Sequence, residues 1–90
     1  MEWRTNAGYI ITDSVRVGEN EFVLGVNQNA PNNFVTWKCS GGKDYYWGHY
    51  FSDLFAAQKD LVERAYEEVR LQEQFKNGPD KATKEKERER

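Results

Sequence analysis

The stretch Lys43-Asp44-Tyr45-Tyr46-Trp47-Gly48-His49-Tyr50-Phe51-Ser52-Asp53 constrains this chain most, because five of its eleven residues are aromatic. It lies between a first half patterned as strands and a second half patterned as one long helix. Bulky rings at such a junction mark where a sheet and a helix meet. Each ring removes about 150–250 Å² from water when buried. That contribution matters in a chain of 90 residues, since a domain this small buries only about 60% of its unfolded surface.

Upstream of the aromatic run the pattern is that of antiparallel strands. Residues 9–17 are rich in β-branched and aromatic types, and alternation puts Tyr9, Ile11, Val15 and Val17 on one face with Asp13 interrupting it. Gly18-Glu19-Asn20 is a turn signal, and Glu21–Val26 returns as a second strand with Phe22, Leu24 and Val26 inward. Four Asn and a Pro make residues 27–33 a loop. Phe34–Cys39 is a third strand with Val35, Trp37 and Cys39 on one face. After the turn at Ser40-Gly41-Gly42-Lys43, residues 44–47 form a short fourth strand.

Downstream, Ser52 is the expected helix cap and Asp53 complements the positive helix end. Leu54, Phe55, Leu61, Val62, Ala65 and Val69 recur at helical spacing as the inward stripe. Asp60→Arg64 and Glu67→Arg70 are expected to support the outer face. Asn77-Gly78-Pro79 supplies the left-handed cap and stop of a helix end. The expected organisation is one α+β domain over residues 1–78, an antiparallel sheet of three to four strands with one amphipathic helix packed on it. Residues 79–90 form a charged, disordered tail. One helix covers one sheet face, so the other face is expected to stay open and able to pair two copies.

The chain is 38% hydrophobic and 31% charged, a globular composition with no apolar run long enough to span a membrane. The first residues lack the basic-then-apolar layout of a secretory leader, and Cys39 is the single cysteine. Both features favour the cytoplasm. A net charge of −2 argues against wholesale electrostatic attraction to nucleic acid. The acidic excess is concentrated on the helix, where residues 52–75 hold six acids against three bases.

No catalytic constellation stands out. Cys39, His49 and Asp53 are the one papain-like combination the chain offers, yet Cys39 alternates in phase with core residues Val35 and Trp37. One Cys and one His fall short of the four ligands of a structural zinc site, and no Gly-rich phosphate loop opens the helix. Neither a metal nor an organic cofactor is expected. Because strand alternation cannot turn Tyr45, Tyr46 and Trp47 all inward, some aromatic surface is expected beside the core rings.

The segments Glu21-Phe22-Val23-Leu24-Gly25, Asn29-Ala30-Pro31, Phe34-Val35-Thr36-Trp37 and Tyr46-Trp47-Gly48-His49-Tyr50-Phe51 carry a resemblance. Over about residues 4–70 the chain resembles small accessory proteins of mobile elements (conjugative elements, plasmids and phages) of Gram-positive gut bacteria. The Trp-Gly-His-Tyr-Phe block is the most distinctive part. Some proteins in that setting are anti-CRISPR proteins, short and acidic chains that block RNA-guided nucleases by stoichiometric binding. The resemblance thus implies a non-enzymatic inhibitor of a host defence protein, whose basic nucleic-acid groove is the partner surface. The alternative is a nucleic-acid-binding accessory protein in which Tyr45, Tyr46, Trp47 and Lys43 stack on bases and contact phosphate. For the inhibitor, the expected contact surface is Tyr45 or Tyr46 near the helix start, together with Asp60, Glu63, Glu67 and Glu68 projecting away from the apolar stripe.

Overall fold

The computed structural model describes residues 3–81. Five strands, β1 (Thr5–Asn6), β2 (Tyr9–Val17), β3 (Asn20–Val26), β4 (Phe34–Ser40) and β5 (Asp44–Phe51), form an antiparallel meander in the order β1-β2-β3-β4-β5. One helix, α1 (Leu54–Lys81), follows. The α+β class and the single long helix agree with the sequence pattern, and the sheet has one strand more than expected. That extra strand, β1, is two residues long, too short for any periodicity to register. It is held by pairing with β2 and by an Ile11 amide donating to the Arg4 carbonyl at 2.8 Å.

Short connections set the meander. β2 and β3 turn through Gly18-Glu19, with Gly18 at φ 62, the positive angle that a tight hairpin demands of its first turn residue. The 27–33 loop is knotted together by the Asn33 side chain, whose amide donates to the carbonyls of Asn27, Gln28 and Ala30.

Two bulges change the faces that simple alternation predicts. The β2–β3 register shifts between Ile11 and Asp13, so Thr12 is the extra residue. Tyr9 and Ile11 therefore belong to one face, while Val17 packs with the residues under the helix. The expectation that Tyr9, Ile11, Val15 and Val17 share a face fails here, because the bulge reverses the phase that Asp13 had broken. The second shift falls between Thr36 and Lys38 on β4, opposite Trp47 on β5. Absorbing one residue there lets β5 keep pairing as far as Phe51, well past the short strand expected to end at Trp47.

Each face of the sheet carries a buried cluster. Under α1, Phe22 and Leu24 pack with Ala57, Leu61 and Ala65, with Val17, Val26, Phe34 and Phe51 around them. On the opposite face Tyr9, Ile11, Val23, Val35, Trp37 and Cys39 form a second cluster, flanked by Ala30 and Tyr45. Among the described residues no second helix covers it; the sheet curls on itself. Trp37 sits at the centre, with ring centroids 5.7 Å from Tyr9, 5.6 Å from Tyr45 and 6.4 Å from Tyr50. Two glycines admit that ring. A Cβ on Gly48 would stand 2.8 Å from Trp37 Nε1, and one on Gly25 would stand 3.2 Å from Trp37 Cζ3. The sheet face expected to stay open under a single helix is thus largely filled by its own side chains, with Tyr50 at its margin still 51% exposed.

The helix differs from expectation at both ends and around its circumference. Asp53, not Ser52, is the cap: its Oδ2 accepts from the Ala56 amide at 2.9 Å. At the far end α1 runs to Lys81, through Asn77-Gly78-Pro79. The remainder of the expected tail, 82–90, lies outside the described residues. Of the expected inward stripe only Leu61 and Ala65 are buried, joined by Ala57; Leu54, Phe55, Val62 and Val69 are exposed. The two alanines let the helix approach Phe22 and Leu24 closely, and the strip in contact is correspondingly narrow.

Candidate functional site

The register of β5 distributes the aromatic run over both faces. Directly paired residues share a face, so Tyr45, opposite Cys39 and through it Glu21, points to the curled side. Tyr46, opposite Lys38 and through it Phe22, points to the helix side. Tyr45 is half-buried against Trp37, and burial raises its phenol above the ordinary range. Tyr46 is half-buried as well.

Trp47 occupies the bulge with φ 57. A bulky residue in the left-handed region carries about 1–2 kcal/mol of backbone strain. That conformation throws the indole outward, 66% exposed, with its ring 5.0 Å from Tyr46 and Lys38 Nζ 5.2 Å above it. The result is a braced aromatic projection on the helix side of the sheet. From sequence, Trp47 is expected as a contact only in the nucleic-acid reading and not in the inhibitor's contact surface. Its signal was present, since three consecutive aromatics followed by Gly cannot continue a strand with every ring buried.

The acidic residues divide into two groups. Asp60 turns toward the sheet, where its Oδ2 accepts from the Thr36 hydroxyl and stands 3.0 Å from His49 Nδ1. Thr36 is fully buried, and its Oγ1 and carbonyl accept from Arg64 Nη1 at 3.0 and 3.2 Å. Burial pushes the Arg64 guanidinium below its ordinary value, with the Asp60 charge opposing that shift. Glu68 also turns inward: it accepts from Asn20 Nδ2 at 2.8 Å and from Gln72 Nε2 at 3.0 Å. Gln72 in turn donates to the Val17 carbonyl at 2.9 Å, pinning the helix to the β2–β3 turn. Asp60, Arg64 and Glu68 are thus seam residues, contrary to the outward acidic face expected of them. Only Glu63 and Glu67 of that set are exposed.

Tyr46 is not near the helix start either. It is level with Phe22, over which Arg64 lies at 5.9 Å, so it flanks the middle of α1. Glu67 follows Asp60 by nearly two helical turns and so stands on the same side, toward β5. The structure therefore sets Lys38, Tyr46 and Trp47 together on the helix side of the sheet, on the β5 side of α1 where Asp60 and Glu67 stand, and sets Tyr45 apart.

On the curled side Glu21 is buried and bonded by Arg4, whose Nη1 and Nη2 each donate at 3.2 Å; Arg16 lies 3.8 Å away. Burial alone would raise the Glu21 carboxyl, but the Arg4 bonds and charge outweigh it and hold the carboxyl below its usual range. Cys39 is buried in the same region, and burial pushes its thiol up. His49 pairs with Thr36 on the helix side, so Cys39 and His49 lie on opposite faces while Asp53 caps the helix. The papain-like combination is not brought together. Among the described residues no three His, Cys, Asp or Glu side chains gather as a metal site, and no helix is long and apolar enough to cross a membrane.

Comparison with protein-family models, curated proteins and solved structures returned no match to this chain.

Proposed function

We propose that this protein is a non-enzymatic binding protein that inhibits a host defence system by stoichiometric occupation, with an RNA-guided nuclease as its target. The observation that carries a binding role is Trp47, a bulky residue held at positive φ and left 66% exposed. Backbone strain of this kind clusters at functional sites, and tryptophan is enriched at the energetic centre of protein interfaces. The exposed Glu63 and Glu67 of the helix add acidic surface suited to a basic, nucleic-acid-binding groove. The choice of a nuclease rests on the resemblance to mobile-element accessory proteins and their anti-CRISPR members.

Purified protein mixed with guide-loaded nucleases and target DNA tests this. Cleavage should stop near equimolar protein, and Trp47→Ala should weaken inhibition at least tenfold while the fold stays intact. Undisturbed cleavage at excess protein across several nuclease types rejects the nuclease.

A second reading has one specific observation behind it. Lys38 over the Trp47 ring, with Tyr46 edge-on beside it, combines exposed aromatic surface with a cation, the combination that single-stranded nucleic acid uses. An electrophoretic shift at low salt that vanishes steeply with added salt would favour it over the inhibitor.

A further inference from the structure

The helix carries a second apolar stripe that the sheet does not touch. Phe55, Val62, Tyr66 and Val69 are 71%, 63%, 58% and 38% exposed. At about 100° per residue they fall within roughly 60° of arc, well away from the buried Ala57–Leu61–Ala65 line. Their spacing is that of a heptad seam: Phe55, Val62 and Val69 repeat every seven residues, and Lys59, Tyr66 and Glu73 repeat every seven between them. The seam covers about 27 Å of helix, five turns.

We infer that this seam binds the same seam of a second copy of the chain, antiparallel, with the two-fold axis near Tyr66. Charge selects both the occupant and the direction. The seam has a cation toward one end, Lys59, and an anion toward the other, Glu73, both exposed. A parallel pair stacks Lys59 on Lys59 and Glu73 on Glu73. An antiparallel pair sets each Lys59 alongside the opposite Glu73, twice by symmetry, and any C2 interface is self-complementary in this way. Lys59 is also held by Glu63 at 2.8 Å, and Arg70 lies 6.0 Å above the Tyr66 ring, so the flanks of the seam are ordered before pairing. Glu67 and the Trp47 corner lie around the helix on the β5 side. The dimer leaves them free and presents two copies of that surface.

Sedimentation equilibrium on the full chain over about 10 µM to 1 mM reads the outcome. The mass should rise from 10.6 kDa toward twice that value. Val62→Asp should weaken association at least tenfold. Lys59→Glu and Glu73→Lys should each weaken it severalfold, and the double swap should restore it, a rescue that no loss of folding can mimic. Circular dichroism confirms that each variant is folded. A wild-type chain that stays monomeric throughout overturns the inference, as does a dimer that Val62→Asp and the charge reversals leave unchanged.

Discussion

The two faces of one sheet are sealed by different means. Under the helix the apolar contacts are modest (Phe22 and Leu24 against two alanines and a leucine), and polar bonds carry much of the seam. On the curled face the sheet folds over its own rings, with Trp37 in the centre and Glu21 paired to Arg4 and Arg16 at the rim. A helix can be laid on a sheet by matching apolar faces. A curl requires room beneath the central ring and a twist sharp enough to bring the ends together. Gly25 and Gly48 supply the first, and the bulges at Thr12 and Trp47 supply the second. The bulge that displays Trp47 is therefore part of how the curled core closes.

The largest expected effect tests which face dominates stability. Trp37→Ala should cost about 3–5 kcal/mol, enough to unfold a domain at the low end of ordinary stability. Leu61→Ala removes less volume from a strip already lined by alanines, and should cost about 2–3 kcal/mol. Urea denaturation with near-ultraviolet circular dichroism separates the two. The Leu61 variant should keep the aromatic signal, and the reverse ranking would move the stability centre to the helix.

That asymmetry also explains what was legible in the sequence. Alternation in Phe34–Cys39 correctly placed Val35, Trp37 and Cys39 together, and the Gly18 turn was plain. The curl was not plain, because a bulge leaves only a broken phase: an acid, Asp13, on an apolar face, and three aromatics in succession at Tyr45–Trp47. Helical periodicity registers apolar residues, so inward polar ones looked solvated. Asp60 and Glu68 find their partners Thr36 and Asn20 far away in sequence, where no local pattern reaches. As a result the expected acidic contact surface shrank to Glu63 and Glu67, while Trp47 was read only as a base-stacking ring.

A smaller effect concerns the rim of the curled face. Glu21→Gln leaves Arg4 without its charged partner and should cost about 1–3 kcal/mol at neutral pH. The Glu21 carboxyl is held below its ordinary range in the folded chain. Its stabilisation is therefore complete above that range and drains away as pH falls through the folded-state value. The buried Cys39 thiol is raised instead, so its contribution is complete at neutral pH and is lost as alkali carries pH past the ordinary thiol range. Thermal melts against pH should show both shoulders. The acid one should flatten in Glu21→Gln and the alkaline one in Cys39→Ala. A wild-type acid shoulder that persists in Glu21→Gln would assign it to other carboxylates.

The smallest expected change in stability is the most informative about use. At φ 57, Trp47→Gly relieves about 1–2 kcal/mol of backbone strain but gives up the edge-on contact with Tyr46, about 0.5–1.5 kcal/mol. These nearly cancel, so the midpoint of unfolding should move by less than about 1 kcal/mol in either direction. If the curl needs only the backbone of this bulge, Trp37 and its neighbours keep their near-ultraviolet signal when the indole is gone. A loss of several kcal/mol would instead make Trp47 a structural part of the sheet. The exposed ring would then require no partner, and the case for a binding surface at this corner would lose its main support.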